Sequence, residues 1–262
     1  EIGSGLVGSE MCIRDRSHRM DAHVPIIIPE VNPGQYDAVK DQPTYGEAGG
    51  YIVTNANCSS TGIAAPLHAI NQAFGLKQVF VSTYQALSGA GYPGVPSLDA
   101  VGNVVPFISH EEEKMETELA KMLGTYSDGE FHYAGFKVMA NCARVPVIDG
   151  HLESLVLDTE GQPTLEELEK ALVDFRGEPQ TLKLPSAPEQ PIIVRHEDNR
   201  PQPVFDAMAG RPERARGMAV TIGRLRQSNG YYKAFSMSHN TLRGGAGGSV
   251  LNAELAVAKN LL

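Results

Sequence analysis

Apolar positions along the chain fall mainly into short β-branched runs between turn residues, with a few stretches of helical period among them. Residues 24–28 form one such run, closed by Pro29. Asn32-Pro33 then turns the chain, because a residue before proline is pushed out of the helical region. Residues 51–54 read as a short buried strand and residues 59–74 as a helix, with Pro66 a reservation against unbroken hydrogen bonding. Residues 77–84 are a strong strand that runs into a Gly-rich loop at 85–94. A charged helix is predicted over 110–123. Residues 136–148 alternate as a strand and turn at Asp149-Gly150, and the alternating run 152–157 looks like its partner. Next come an acidic amphipathic helix at 165–174 and a Pro-rich connector at 180–191. Strands are predicted at 191–194, 217–226 and 231–237, and a second Gly-rich turn at 238–248 opens the last helix, 249–262. So many strands beside few helices predict an α+β fold with a mixed sheet over about 60–240, flanked by pieces of something else.

Composition narrows this. The chain has 262 residues, 42% hydrophobic, which suffices for one large domain or two modest ones. A net charge of −9 argues against a nucleic-acid partner. No apolar run approaches the roughly 20 residues of a membrane span. Three cysteines without close pairing point to a reducing, cytoplasmic setting. Residues 1–19 carry no strand or helix period that continues into the run at 24–28, and 11–16 (MCIRDR) resembles a translated sequencing adapter. Residues 1–19 are therefore expected to be non-native and are set aside, Cys12 included.

The chemistry centres on Cys58, placed where a strand hands over to a helix N-terminus. Unpaired N–H groups and the positive end of the helix dipole favour a thiolate there and could hold an oxyanion. A lone cysteine is more often a small buried thiol, so this residue alone does not decide. His151 follows a glycine turn from which an imidazole can project, with a pKa suited to proton transfer. Arg144 lies seven residues earlier, an odd spacing that puts the two on opposite faces of a straight strand unless Asp149-Gly150 breaks the register. Alone, His151 reads as a surface or interface histidine and Arg144 as a surface cation. The helix pairs Glu111/Lys114 and Glu118/Lys121, each three residues apart, read alone as solvated charges.

Together these stretches resemble the aspartate-semialdehyde dehydrogenases of archaea and fungi. The resemblance is carried by IVTNANCSSTG from residue 52, STYQALSGAGYPGVPSLDAVGNVVPFI (82–108), EEEKMETELAKMLG (111–124), NCARVPVIDGHLESL (141–155), DNRPQP (198–203), GMAVTIGRLR (217–226) and SHNTLRGGAGGSVLNAEL (238–255). They occur in the family's order, with its spacing of 27 residues from Cys58 to Gln85 and seven from Arg144 to His151. The resemblance implies NADPH-dependent reductive dephosphorylation of aspartyl-4-phosphate to aspartate-4-semialdehyde, a step in lysine, threonine and methionine biosynthesis. Cys58 would form the thioester and His151 would be the general acid/base. Gln85 would orient the substrate and Arg144 would clamp its α-carboxylate. Glu118 would meet the substrate amino group and Lys121 the phosphate, with Glu111 and Lys114 as substitutes. Ser88 and Gly89 would contact NADP, and Asn240 its nicotinamide amide. No metal is implied.

The resemblance further implies a catalytic and dimerisation domain at 58–240, like the C-terminal domain of glyceraldehyde-3-phosphate dehydrogenase. Residues 20–57 and 241–262 would be remnants of a Rossmann-type nucleotide domain. The G-x-G-x-x-G fingerprint of that half is absent ahead of Cys58, and so, on this reading, is an arginine that helps bind phosphate in the family. An N-terminally truncated chain that binds NADP weakly and turns over poorly is therefore expected. A homodimer or homotetramer, joined through the exposed face of the sheet, is expected on family grounds. The alternatives are a malonyl-CoA or succinyl-CoA reductase of the same fold, and a non-catalytic dimerisation fragment.

Overall fold

The computed structural model describes residues 11–12, 18–46 and 50–262. Two-residue strands come first: β1 (Met11–Cys12), β2 (Ile26–Ile27), β3 (Tyr51–Ile52) and β4 (Thr54–Asn55). Next come α1 (Cys58–Phe74), β5 (Leu76–Gln85), the short α2 (Ser97–Ala100) and α3 (Glu111–Met122). A hairpin of β6 (Thr125–Ser127) and β7 (Glu130–His132) leads to β8 (Lys137–Arg144) and β9 (His151–Thr159). After these lie α4 (Leu165–Asp174), α5 (Glu178–Thr181), β10 (Ile192–Arg195) and α6 (Pro203–Asp206). The chain closes with β11 (Val220–Ser228), β12 (Tyr231–Ser238) and α7 (Gly247–Ala258).

Six strands make one mixed sheet in the order β10-β11-β12-β9-β5-β8. β10–β11 and β5–β8 are parallel pairs, and the other neighbours run antiparallel. The expected pairing of 152–157 with 136–148 is therefore corrected, because β5 lies between them. The strand beginning at Lys137 stops at Arg144, and the chain crosses the end of β5 before β9 starts. Leu87 and Ser88 donate their N–H groups to Val147 O and Ile148 O and so tie that crossing down. Arg144 and His151 thus belong to different strands, and the odd spacing needs no break in register.

Helices α1, α3 and α4 pack against the sheet. Burial along β9 alternates, with His151, Glu153, Leu155, Leu157 and Thr159 all buried. Thr164 and Glu167 form a reciprocal capping box that starts α4. Asn57 caps α1 by accepting from the N–H groups of Ser59 and Ser60. Pro66 lies inside α1 and has no N–H to donate to Gly62 O one turn earlier. Ser236 Oγ on β12 donates to that oxygen instead, at 2.7 Å. The helix passes Pro66 unbroken because the sheet satisfies the carbonyl the proline leaves unpaired.

The runs at 24–28 and 51–54 shrink to two-residue strands. β2 pairs in parallel with β4, and β1 with β3. Beneath them lies a second, smaller apolar cluster. It joins Ile27, Tyr36, Val39 and Val53 to Leu251 and Leu255 of α7, and it takes in Leu184 and Met218 from the main body. Of the residues set aside at 1–19, 1–10 and 13–17 lie outside the described residues. Among the described residues no helix is long and apolar enough to cross a membrane.

Candidate active site

The C-terminal ends of β5 and β8, the start of β9 and the N-terminus of α1 converge on a cleft of about 700 Å³. Cys58, Gln85, Ser88, Gly89, Lys114, Arg144 and Asn240 all line it. Cys58 is the first residue of α1 and is partly exposed. Its Sγ lies 3.3 Å from His151 Nε2. The imidazole does not project freely, as the preceding glycine suggested, but is fully buried beneath the cleft. Burial, then the nearby Arg144 cation and His239, push its pKa down to about 3. The N–H groups expected to serve an oxyanion are also partly spent, since Asn57 occupies those of Ser59 and Ser60.

Gln85 and Arg144 are register partners on β5 and β8. Arg144 Nη1 donates to Ala86 O at 2.7 Å, which fixes the guanidinium at the cleft wall. Burial lowers the guanidinium pKa, while Cys58 and Glu111 act the other way. Gly89 lies on these groups: a Cβ there would stand 2.8 Å from Arg144 Nη1 and 2.9 Å from His151 Cε1. Asn240 donates to Ser88 Oγ and accepts from Gly150 N–H, both at 2.8 Å, so it ties the two Gly-containing turns together. The residues named from the sequence for the nicotinamide end are thus adjacent and beside the sulfur. Among the described residues no group of three or more His, Cys, Asp or Glu side chains could hold a metal ion.

The carboxylate and amine at the cleft are Glu111 and Lys114, which corrects the first choice of Glu118 and Lys121. Glu111 Oε1 accepts from Asn57 Nδ2 at 2.8 Å and from Gln85 Nε2 at 3.1 Å, and Oε2 lies 3.9 Å from Lys114 Nζ. Lys121 is buried two turns farther along the helix. Its Nζ donates to Arg19 O, Val24 O and Asp21 O at 2.7, 2.9 and 3.1 Å and stands over the Phe131 ring. Burial lowers its pKa to about 8, opposed by Asp21 and Glu118. All three ammonium protons are therefore used in holding residues 19–24, and none is left for a phosphate. Glu118 likewise accepts from Arg19 Nη1 at 3.0 and 3.1 Å and from Asn57 N–H at 3.3 Å.

Arg19 is the residue that sequence reasoning missed. It fell in the segment set aside and has no local signal, yet it is buried and lines the cleft. An arginine therefore does stand at the site.

Beneath α1 lies Glu153, fully buried, two residues from His151 on the same face of β9. Neither of its oxygens has a hydrogen-bond partner among the described residues. Burial raises its pKa well above the usual carboxylate value. The helix sits directly on it: a Cβ at Gly62 would meet both carboxylate oxygens at 3.1 Å and Ser238 Oγ at 2.8 Å. The folded protein thus holds a proton here that the unfolded chain releases above its ordinary value of 4.5. The stability this gives is complete below that value and is lost as pH rises toward the folded pKa. Urea titrations at about pH 6 and 9 should show stability falling with pH in the wild type, and a shallower fall in Glu153→Gln. Equal slopes would show that Glu153 is already ionised.

The family described as semialdehyde dehydrogenase, dimerisation domain, matches residues 67–243. The aspartate-semialdehyde dehydrogenase of Methanothermobacter thermautotrophicus is 47% identical over 241 residues, covering 90% of this chain and 68% of that protein. The malonyl CoA reductase (NADP) of Metallosphaera sedula is 40% identical over 259 residues, covering 98% of this chain and 72% of that protein. Among solved structures, the aspartate semialdehyde dehydrogenase with NADP from Candida albicans superposes with a TM-score of 0.82 at 36% identity. It covers 94% of this chain and 70% of that one.

Proposed function

Since the chain belongs to the aspartate-semialdehyde dehydrogenase family, we propose that its cleft carries out the NADP-linked conversion between aspartyl-4-phosphate and aspartate-4-semialdehyde through a thioester on Cys58. The observation that carries this reading is the Cys58–His151 contact of 3.3 Å at the wall of a cleft that also holds Arg144, Glu111 and Lys114. The substrate has two anionic ends and one ammonium. Arg144 offers a planar fork to the α-carboxylate. Glu111 is the carboxylate available to the ammonium, and Lys114 and Arg19 are the cations available to the phosphate. Gln85, held by Glu111 at 3.1 Å, orients the acyl group over the sulfur. Cys58 attacks the acyl carbon, the bond to phosphate breaks and the thioester forms.

The dinucleotide, when bound, supplies or accepts the hydride; Ser88, Gly89 and Asn240 are the residues that would hold its nicotinamide end. We assign residues 20–57 and 241–262 to the nucleotide-binding half and 58–240 to the catalytic half. The parallel β2–β4 pair and the packing of Ile27, Tyr36, Val39 and Val53 on α7 support that division. A homodimer joined through the open sheet face, where Phe80 and Tyr84 are exposed, and a cytoplasmic location complete the reading.

Glu111 favours the amino-acid substrate over malonyl-CoA, which brings no ammonium to pair with that carboxylate. Two assays test this. Acylation of Cys58 by an acyl phosphate, read as a mass increase, needs no dinucleotide. Phosphate-dependent semialdehyde oxidation with excess NADP should then exceed malonyl-CoA reduction by about 10-fold or more, the scale of one lost hydrogen bond to a charged group. A preference for malonyl-CoA would overturn the assignment of substrate.

A further inference from the structure

We propose that Glu118 and Lys121 are positioning residues: together they latch residues 19–24 to α3 and hold the Arg19 guanidinium at a fixed station beside Cys58, where it receives the phosphoryl end of an acyl phosphate. This rests on the acyl-phosphate chemistry proposed above and adds to it the device that places the arginine.

Arg19 needs such a device because its backbone is not held by regular structure. Residues 19–24 form turns, and no sheet ladder runs through them. Lys121 Nζ, itself buried, donates to Arg19 O at 2.7 Å, to Val24 O at 2.9 Å and to Asp21 O at 3.1 Å. That uses every proton of the ammonium, and one point charge gathers three carbonyls. The Phe131 ring, 4.2 Å from the ammonium, adds to its hold. The end of α3 that carries Lys121 is fixed in its own right, since Gln35 Nε2 donates to Lys121 O at 2.7 Å and to Gly124 O at 3.1 Å. One carbonyl of the cage belongs to Arg19 itself, so Lys121 anchors the root of the arginine.

Glu118, one turn earlier on the same face of α3, fixes its head. Arg19 Nη1 donates to Glu118 Oε1 at 3.0 Å and Oε2 at 3.1 Å. Oε2 also accepts the Asn57 N–H at 3.3 Å. Asn57 caps α1 and precedes Cys58, so one carboxylate registers the arginine against the nucleophile. Asn57 Nδ2 carries the chain of bonds on to Glu111 Oε1, and Gln85 joins it there. The pairing with Glu118 spends only Nη1. Arg19 Nε is buried and has no partner among the described residues, an arrangement that is costly while it stays unmet. An oxyanion seated in the cleft supplies the missing acceptor, and a guanidinium can offer it two parallel N–H groups.

The test uses the whole chain and no dinucleotide. Cys58 is acetylated by acetyl phosphate or by p-nitrophenyl acetate, which carries the same acyl group and no phosphate. The rate is read as the mass increase of the peptide carrying Cys58. With either reagent the S–C bond forms as the acyl C–O bond breaks, the leaving oxygen keeps the electron pair, and the thiol proton passes to solvent. Lys121→Met keeps the length of the stem and removes the donors. It should slow acetylation by acetyl phosphate about 10- to 100-fold, the scale of hydrogen bonds to a charged group, and leave the nitrophenyl ester within about threefold of wild type. Equal slowing with both reagents would mean general damage around α1 and would overturn the proposal. Because Lys121 acts through Arg19, adding Lys121→Met to Arg19→Met should cost nothing further with acetyl phosphate, whereas multiplying losses would overturn it. Trypsin gives a readout free of acyl chemistry. Cleavage of the Arg19–Met20 bond, identified by the mass of the fragment that starts at Met20, should accelerate about tenfold or more in Lys121→Met as the turns are released. An unchanged rate would show that Lys121 does not hold them. If Lys121→Met does not accumulate as folded protein, Lys121→Gln, which keeps two N–H donors, carries the same comparisons, with smaller shifts expected in the same directions. Should wild-type Cys58 react with the nitrophenyl ester and not with acetyl phosphate, the proposed function falls, and the trypsin rates still decide whether Lys121 holds Arg19 in place.

Discussion

Replacing Cys58 with alanine is expected to lower turnover by about 10⁴-fold or more and to leave the fold intact. Cys58 occupies the first position of α1, where the backbone is set by the Asn57 cap and where alanine is the best helix former. Its side chain is partly exposed, so truncation removes little packing. The loss should therefore fall on kcat, with the melting temperature and far-UV spectrum unchanged. Cys142 cannot take over. It is buried against Met115 Sδ, 3.7 Å away, and burial pushes its thiol up to about 12. Residual activity within tenfold of wild type would place the nucleophile elsewhere.

The largest effect on stability is expected at Glu30. Its two carboxylate oxygens accept from Arg243 Nη1 and Nη2 at 2.7 and 2.8 Å, and both side chains are almost wholly buried. Removing one member leaves the other charged and unpaired in the interior, which costs about 3–5 kcal/mol, against a total of about 5–15 for a typical domain. Glu30→Ala should therefore shift the urea midpoint far down or prevent accumulation of folded protein. The double replacement Glu30→Leu with Arg243→Met should recover most of the loss, because two apolar groups need no pairing. If the double variant is no better than the single, the cost lies in packing and not in the orphaned charge.

The regular body of the fold was legible where periodicity was long or caps were explicit. Residues 165–174 and 77–84 came through nearly unchanged because amphipathic period, the Thr164–Glu167 box and a long β-branched run agree. Strand order was not legible. Nothing local says that β5, earlier in sequence, inserts between β8 and β9. The helix pairs on α3 failed for a geometric reason. Glu111/Lys114 and Glu118/Lys121 are seven residues apart, so they share nearly the same face and differ by about 10 Å along the axis. Only the packing shows which end meets the cleft. His151 was placed correctly but assigned the wrong surroundings, since a glycine turn says nothing about what covers the next residue. Arg19 was lost because its setting depends on carbonyl bonds to Lys121, about a hundred residues away.

Pro66 and Ser236 carry a historical consequence. The proline withdraws a donor from Gly62 O, and a serine on a distant strand restores one. A lineage that changed Ser236 first would have left a buried carbonyl bare in the helix that carries the nucleophile. One that replaced Pro66 first would have made the hydroxyl redundant. The order of substitution at these two sites is thus constrained, and Ser236 is free to drift only once the proline has gone.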